Sequence, residues 1–342
     1  MRMKANHAKV ALAATLVLAT GSAFAGQSKD IVATAYGGVW QKSVEKSFVP
    51  CYEKSTGGKV HILTGESSDW LNRVRAQPNN PPIDALTLSG LDTLRAAKEG
   101  LLQKLTVKKV PNLKHIPKKF YKPWGSYGVV ENYGAMGVMY NNNAIHNPPK
   151  TWAGLIKAIA SGKYGDKVAW PSVTYTWGAP FLWFMSQQYD GKISTAFQKM
   201  KAIQPHVLKF WTTPVGALNL FATRQVNLLV YWDGRAFNFI NKGNKWASFY
   251  IPSHKTIAGS VLISKPKNSN PASWKYLNCA LDAAAQTKFA AGIHYAVSNR
   301  NVKYPSSLKG QVTTADEVVI PPFKKIVTNI QNWTNKWNQE MR

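Results

Sequence analysis

Short stretches that combine aromatic rings, glycines and small polar side chains follow several apolar, strand-like runs of this sequence. These stretches are 36–40, 67–69, 89–90, 174–177 and 232–235. Aromatic faces bind apolar or cationic groups, and one cation–π contact contributes roughly 0.5–2 kcal/mol. Backbone N–H groups at a helix N-terminus attract carboxylates and other anions. These residue types are suited to contact a ligand that has apolar, cationic or anionic groups.

Within these stretches we select the side chains and glycines that are suited to contact a ligand. They are Tyr36, Gly37, Gly38, Ser67, Ser68, Ser89, Trp177, Trp232, Asp233 and Arg235. Several have a second interpretation: both tryptophans are compatible with core packing, and Asp233 is compatible with a helix cap. Arg235 is either a surface charge or a bidentate partner of a ligand carboxylate. Trp40 either lines the site or packs beneath it.

Motifs of catalysis and metal binding are missing from the sequence. It has no Gly-x-Ser-x-Gly elbow, no His-Glu-x-x-His and no phosphate-binding Gly-x-x-x-x-Gly-Lys pattern. Ferric-ion binding needs oxygen-rich ligands such as paired tyrosines, and no two tyrosines are adjacent. We therefore predict no catalytic residues, no metal and no cofactor. An exported hydrolase with an unrecognised site remains an alternative.

The candidate stretches lie in a chain whose strand-like and helix-like patterns alternate. The clearest patterns are strands at 31–36, 59–63, 83–88, 168–170, 227–232 and 260–264, and helices at 39–52, 67–76, 91–100, 271–291 and 321–341. A turn at 233–235 is expected before the next helix. This alternation predicts an α/β fold with a mostly parallel sheet. Ligands of such sheets bind beyond the carboxyl ends of the strands, where the candidate residues lie.

The N-terminal 25 residues are typical of a secretory signal peptide. Arg2, Lys4 and Lys9 precede an apolar run, and Ala23-Phe24-Ala25 forms a small-x-small cleavage pattern. The apolar run is shorter than the roughly 20 residues that span a bilayer. We therefore expect an exported, periplasmic protein of two domains, with an uncleaved membrane anchor as the alternative.

The formal net charge is +27, and removal of the three basic residues of the signal leaves +24. The lysines are scattered in ones and twos and no nucleic-acid motif is present, so we predict no nucleic-acid partner. The positive charge is compatible with a solvated surface and with attraction to an acidic partner or to the envelope surface. Cys51 and Cys279, the two cysteines, could form a disulfide in an oxidising compartment or remain as buried thiols.

The order of further landmarks resembles the extracellular solute-binding proteins of bacterial ABC importers, in the branch that includes the polyamine-binding proteins. The landmarks, spread over the mature chain, include "TGGKV" at 56–60, "PPIDALTLSG" at 81–90, "GVMYNNNAI" at 137–145, "VYWDGRAF" at 230–237, "GSVLISKPKNSNPASWKYLN" at 259–278 and "HYAVSNRN" at 294–301. The resemblance adds Tyr295 to the candidate ligand contacts. Segments 102–127 and 204–226 carry no landmark.

The resemblance implies a two-lobed periplasmic binding protein of type II-like α/β architecture. Two parallel or mixed sheets would have helices on both faces, and two hinge crossings would connect the lobes. The implied lobes are 26–136 with 257–303, and 137–256 with 304–342. The implied protein is a monomer that closes on a small-molecule solute and delivers it to the permease subunits of an ABC importer.

The sequence departs from the polyamine-binding pattern where that pattern places carboxylates. Gly259 stands at the expected acid of the late crossing strand, and residues 172–178 contain no acid. Burying an ammonium group without a partner costs several kcal/mol. We therefore expect an amine-bearing solute with at most one strong cation, such as an amino-acid-like compound, an opine-like conjugate or a monoamine. A classical polyamine is the alternative.

Overall fold

Strands and helices alternate through most of the chain in the computed structural model, which describes residues 28–341. The predicted signal peptide lies outside these residues. The strands are β1 (Ile31–Ala35), β2 (Val60–Thr64), β3 (Leu86–Ser89), β4 (Leu102–Gln103), β5 (Gly128–Asn141), β6 (Val168–Pro171), β7 (Val207–Trp211), β8 (Leu228–Trp232), β9 (Ala247–Tyr250), β10 (Thr256–Pro266), β11 (Ala296–Val297) and β12 (Val318–Val319).

The helices flank these strands and begin directly after several of them. They are α1 (Val39–Thr56), α2 (Ser67–Ala76), α3 (Gly90–Lys98), α4 (Trp152–Ala160), α5 (Gly178–Ser186), α6 (Ile193–Ile203), α7 (Pro214–Ala222), α8 (Asp233–Asn241), α9 (Ser273–Ala280), α10 (Ala283–Ile293) and α11 (Phe323–Glu340). None of the helices within residues 28–341 combines the length and the apolar character needed to span a membrane.

Two long strands, β5 and β10, hold the halves of the molecule together. They pair antiparallel, and β3 pairs with β10 while β8 and β9 pair with the later part of β5. The hydrogen-bonded order is β12-β10-β5-β8-β6-β7, and β1 and β2 form a separate parallel pair. The sheet is thus mixed and less parallel than the alternation predicts. The reason is that β5 and β10 carry the chain between the halves in opposite directions.

Two predicted elements differ from the structure, and one segment without a landmark contains regular elements. The long helix expected at 271–291 is two helices, because Asp282 leaves the helix and its side chain accepts a 3.0 Å hydrogen bond from the Ala285 N–H. The turn expected at 233–235 is absent, because α8 begins at Asp233 directly after β8. Segment 204–226, which carries no landmark, contains β7 and α7.

Covalent and apolar contacts fix the elements that surround the site. A disulfide joins Cys51 on α1 to Cys279 near the end of α9, with 5.7 Å between the Cα atoms. At the start of α11, Phe323 packs against Trp124 at 5.5 Å and Trp177 at 5.8 Å between ring centroids. The terminal helix, which the resemblance assigns to the second lobe, therefore contacts residues of both implied lobes.

Candidate functional site

A cavity lies between the two halves, and its inner compartment is lined by aromatic rings from both. The inner compartment has a volume of about 140 Å³. Tyr36, Trp40 and Tyr295 line it from one side, and Tyr175, Trp177 and Trp232 line it from the other. Gly134 on β5 and Gly259 on β10 also line it, and they are paired across the two strands. The crossing strands therefore form the bottom of the cavity.

An outer compartment of about 610 Å³ continues from the inner one. Gly37, Gly38 and Val39 line one side of it, and Leu218 and Phe239 line the other. The two compartments share the lining residues Tyr36, Trp40, Glu66, Val215, Arg235 and Tyr295. The residues of this shared boundary include one negative side chain, Glu66, and one positive side chain, Arg235.

The turn between β1 and α1 places Tyr36 at this boundary. Gly38 has a φ of 76°, a left-handed value that glycine adopts without strain, so the strand turns directly into α1. The Tyr36 ring is perpendicular to Trp40 at 5.2 Å between centroids and also contacts Trp70 at 5.3 Å. Trp40, which the sequence leaves undecided between two roles, does both: it packs against Phe289 and lines the cavity.

Trp232 at the end of β8 is held from two directions. Its indole Nε1 donates a 3.0 Å hydrogen bond to the hydroxyl of Tyr175, and its ring is nearly perpendicular to Trp177 at 5.8 Å between centroids. Burial raises the pKa of Tyr175, so this phenol stays neutral and accepts the bond. The three rings form a fixed aromatic wall on one side of the inner compartment.

Glu66 and Arg235 supply opposite charges at the boundary of the compartments. Glu66 directly precedes α2, and Arg235 lies in the first turn of α8. Glu66 stays exposed to solvent, but its partial desolvation raises its pKa, the positive charge of Arg235 opposes this shift, and Asp69 adds to it. Arg235 forms no ion pair with any carboxylate in the described part of the chain. The cavity can thus bind a cationic and an anionic group at once.

Asn132 brings an unpaired amide to the inner compartment. Its side chain is 1% exposed, and neither Oδ1 nor Nδ2 has a hydrogen-bond partner within residues 28–341. The indole Nε1 of Trp40 is likewise buried without a partner. Buried polar atoms nearly always have partners, so these three atoms are candidates for hydrogen bonds with a bound molecule.

The structure brings most of the predicted contacts together. The cavity is lined by Tyr36, Gly37, Gly38, Ser67, Trp177, Trp232, Arg235 and Tyr295. The Ser67 hydroxyl already donates a 2.6 Å hydrogen bond to Asp92 and accepts one from the Ser89 N–H. Because these hydrogen bonds occupy its hydroxyl, Ser67 lines the cavity mainly as a small side chain and not as a polar contact.

Three predicted contacts lie outside the cavity. Ser68 is exposed and faces a separate surface depression. Ser89 is buried, and its hydroxyl caps α3 by accepting a 3.2 Å hydrogen bond from the Asp92 N–H. Such caps satisfy the unpaired N–H groups of a helix start, so Ser89 has a structural role here.

Asp233, the third residue, is buried behind the cavity wall. Its carboxylate accepts hydrogen bonds from the Thr313 hydroxyl and the Gly234 N–H, each at 2.7 Å. Burial raises the pKa of Asp233 to about 7, and these hydrogen bonds oppose the shift. Asp233 thus ties the start of α8 to the segment before α11, instead of reaching the cavity.

Several residues of the cavity were not among the predicted contacts, and two of them, Glu66 and Asn132, bear on its chemistry. Glu66 stands immediately before Ser67, so the correct strand-to-helix turn was identified but its carboxylate was missed. Asn132 belongs to the apolar run "VVENYGAMG", where the pair Glu131-Asn132 is the one polar interruption. A polar pair inside a buried strand was the available signal. Within residues 28–341 no three His, Cys, Asp or Glu side chains could hold a metal ion together.

Comparison with known proteins agrees with this architecture. The family model described as "Bacterial extracellular solute-binding protein" matches residues 48–315. The chain is 24% identical over 309 residues to the "Spermidine/putrescine-binding periplasmic protein 1" of Haemophilus influenzae, a match that covers 86% of this chain and 82% of that protein.

Solved structures share the fold at low sequence identity. A putative extracellular solute-binding protein from Bordetella parapertussis superposes with a TM-score of 0.82 at 23% identity, covering 92% of this chain and 99% of that one. The periplasmic binding protein AgtB from A. tumefaciens R10, solved with agropinic acid, superposes with a TM-score of 0.72 at 18% identity, covering 91% and 98%. From the family match and the two-halved α/β fold with its cavity, the chain belongs to the bacterial extracellular solute-binding protein family.

Proposed function

We propose that this protein is the periplasmic solute-binding component of an ABC importer and that its solute is a small, amine-bearing organic molecule with an anionic end. One observation carries the choice of solute: Glu66 and Arg235 present one carboxylate and one guanidinium at the same cavity boundary. The surrounding aromatic faces add affinity for an ammonium group. Amino-acid-like compounds and opine-like conjugates have this combination of charges.

A classical polyamine is the second candidate, because the Haemophilus influenzae relative is named for spermidine and putrescine. The cavity argues against it. A diamine brings two ammonium groups, but Glu66 is the one carboxylate among the described residues that line the inner compartment. Arg235 would repel the second ammonium group, which would also lose its hydration without a partner.

Capture of the solute is proposed to occur by closure of the two lobes around the crossing strands. β5 and β10 run between the lobes as an antiparallel pair, so small rotations along them would open or close the cavity. The proposed lobes are 26–136 with 257–303, and 137–256 with 304–342. The closed, solute-bound monomer would be the form that the permease subunits recognise, after export with removal of residues 1–25.

Mass spectrometry of the solute that co-purifies from the native periplasm tests this proposal. The protein is purified under native conditions, denatured, and the released small molecules are identified. We expect one compound, in about equimolar amount and chemically unchanged, that bears both an amine and an acidic group. Release of spermidine or putrescine would overturn the choice of solute, and turnover of the bound compound would overturn the assignment as a carrier.

A further inference from the structure

Asn132 occupies a central position on the cavity face of the crossing strands. It is paired with Val261 across β5 and β10, and two register steps further, on the same face, Gly134 is paired with Gly259. All four residues line the inner compartment, so the Asn132 side chain stands on the cavity side of the sheet. The glycines of that pair leave room for the rings of Tyr295 and Trp232, which pack closely over them.

The amide of Asn132 has no structural partner to account for its burial. Leaving a buried donor and acceptor unpaired costs stability, and native proteins retain such groups where a ligand or water completes them. Asn141, on the same strand, shows the ordinary arrangement: its Nδ2 donates a 3.2 Å hydrogen bond to Asn227. The difference between the two asparagines points to a ligand at Asn132.

The chemistry of the unpaired atoms limits the solute group that fits them. Asn132 offers one acceptor and a donor, and because both atoms are unpaired, exchanging the assignment of oxygen and nitrogen changes nothing. Trp40 Nε1 adds a second donor in the same compartment. A carboxylate would leave Asn132 Oδ1 unpaired, and an ammonium group would leave Nδ2 unpaired. A neutral hydroxyl or carboxamide both donates and accepts, and so satisfies both atoms of the Asn132 amide.

The size of the inner compartment is consistent with a small recognition group. Pockets that enclose drug-sized ligands have volumes of roughly 300–1,000 Å³. The inner compartment has about 140 Å³, whereas the outer one has about 610 Å³. The inner compartment thus accommodates one end of the solute, and the charges of Glu66 and Arg235 lie at its opening.

We propose that Asn132 determines specificity by hydrogen bonding a neutral hydroxyl or carboxamide group of a zwitterionic solute, whose ammonium and carboxylate groups bind Glu66 and Arg235. This inference rests on the proposed function, since it names the chemical class of the solute at the same cavity. It adds a requirement that charge alone does not impose: the end of the solute that enters the inner compartment carries no charge.

The test uses four amino acids that share a zwitterionic backbone and differ at the side-chain end. Glutamine and homoserine end in a neutral group that donates and accepts, glutamate ends in a carboxylate, and norvaline ends in a methyl group. Their dissociation constants are measured by calorimetry on the mature protein after denaturation and refolding to remove endogenous solute. We expect glutamine or homoserine to bind at least tenfold more tightly than glutamate and norvaline.

Two leucine substitutions separate recognition from folding. In Asn132→Leu we expect the preference to shrink below threefold and the melting temperature to equal or exceed that of the wild type, because an unpaired amide is removed. In the control Asn141→Leu we expect an unchanged preference and a lower melting temperature, because a paired amide is lost. If Asn132→Leu does not fold, Asn132→Ala is measured in its place.

The outcomes distinguish this inference from the proposed function. If the wild type binds the zwitterions without preference, or the Asn132 variants keep the preference, the role of Asn132 is wrong while the proposed class of solute stands. If the wild type binds putrescine and none of the four amino acids, both proposals for the solute are overturned. If it binds none of these probes, the role of Asn132 is overturned, and the proposed class of solute is decided by the compound that co-purifies.

Discussion

A Cβ atom at Gly259 would lie 2.5 Å from the outer ring carbons of Trp232. Such a contact is far shorter than packed carbon atoms allow. Gly259 is also the position where the polyamine-binding pattern is expected to place an acid. The missing side chain therefore makes room for an indole ring, and the cavity exchanges a possible carboxylate for an aromatic surface.

Replacing Gly259 by alanine is expected to displace Trp232 and weaken solute binding. We predict a loss of stability of about 1–3 kcal/mol, as for other overpacked sites, and at least a tenfold loss of affinity for the native solute. Urea unfolding and calorimetry measure the two effects. Gly37→Ala is the control for stability, since no atom lies within 4 Å of a Cβ at Gly37. An equal loss of stability in the two variants would contradict the assigned role of Gly259.

Much of the fold was predictable because its patterns are local. Helix α2 begins and ends at the predicted residues, and the glycine turn after β1 was identified from Gly37 and Gly38. The proportion of parallel strand pairs was overestimated, because the antiparallel pairing of β5 with β10 joins segments far apart in sequence. No periodicity within either segment shows which strand will be its neighbour.

The site was only partly predictable for the same reason. Residues at strand ends, such as Tyr36 and Trp232, can be identified from the sequence because an apolar run directly precedes them. Asn132 lies inside a strand, and its importance comes from lacking a partner in three dimensions. Asp233 follows a strand end as expected, yet Thr313, distant in sequence, holds its carboxylate away from the cavity.

Removal of the disulfide is expected to destabilise the protein. Cys51 and Cys279 are 228 positions apart, so the bridge restricts a long loop in the unfolded chain. Native disulfides typically contribute about 2–5 kcal/mol. We predict a loss in this range for the double variant Cys51→Ala/Cys279→Ala, measured by urea unfolding. Reductant should lower the stability of the wild type but not that of the variant, and equal stability of the oxidised and fully reduced wild type would refute the prediction.

Stability is expected to depend on pH through Glu131. Glu131 lies at an irregularity in the pairing of β5 with β10. Its neighbours Val130 and Asn132 pair with the adjacent residues Leu262 and Val261, so Glu131 itself has no partner on β10. Its side chain is 1% exposed, and burial raises its pKa from 4.5 to about 8. The folded state therefore binds a proton that the unfolded state has released between these pH values. The contribution of the Glu131 carboxyl group to the free energy of unfolding is fully present below pH 4.5 and is lost as the pH rises to about 8.

The variant Glu131→Gln should lack this component. We predict that its stability relative to the wild type increases from pH 5 to pH 8, by at most about 1.4 kcal/mol per pH unit. Urea unfolding at several pH values measures the difference, with the exposed Glu45→Gln as the control. Parallel pH profiles for Glu131→Gln and the wild type would show that this carboxyl group does not titrate between those pH values.

Solute binding is expected to require the guanidinium group of Arg235. A planar guanidinium forms two parallel hydrogen bonds with a carboxylate, whereas lysine offers a single charged point. Hydrogen bonds to charged groups contribute about 1.5–3 kcal/mol, so Arg235→Gln should weaken binding of the native solute by roughly 10- to 150-fold. Arg235→Lys should recover only part of this loss, because lysine restores the positive charge but not the two parallel N–H donors.

Arg224 offers a matched control on the same half of the molecule. Its guanidinium stacks on Trp246 at 4.9 Å and does not line the cavity, so Arg224→Gln should leave the affinity unchanged. Calorimetry of the three variants provides the comparison. If Arg235→Gln binds the solute within twofold of the wild type, Arg235 does not contact an anionic group of the solute. The single carboxylate of Glu66 would then be the main charge that selects the solute, and a monoamine would fit the cavity better than a zwitterion.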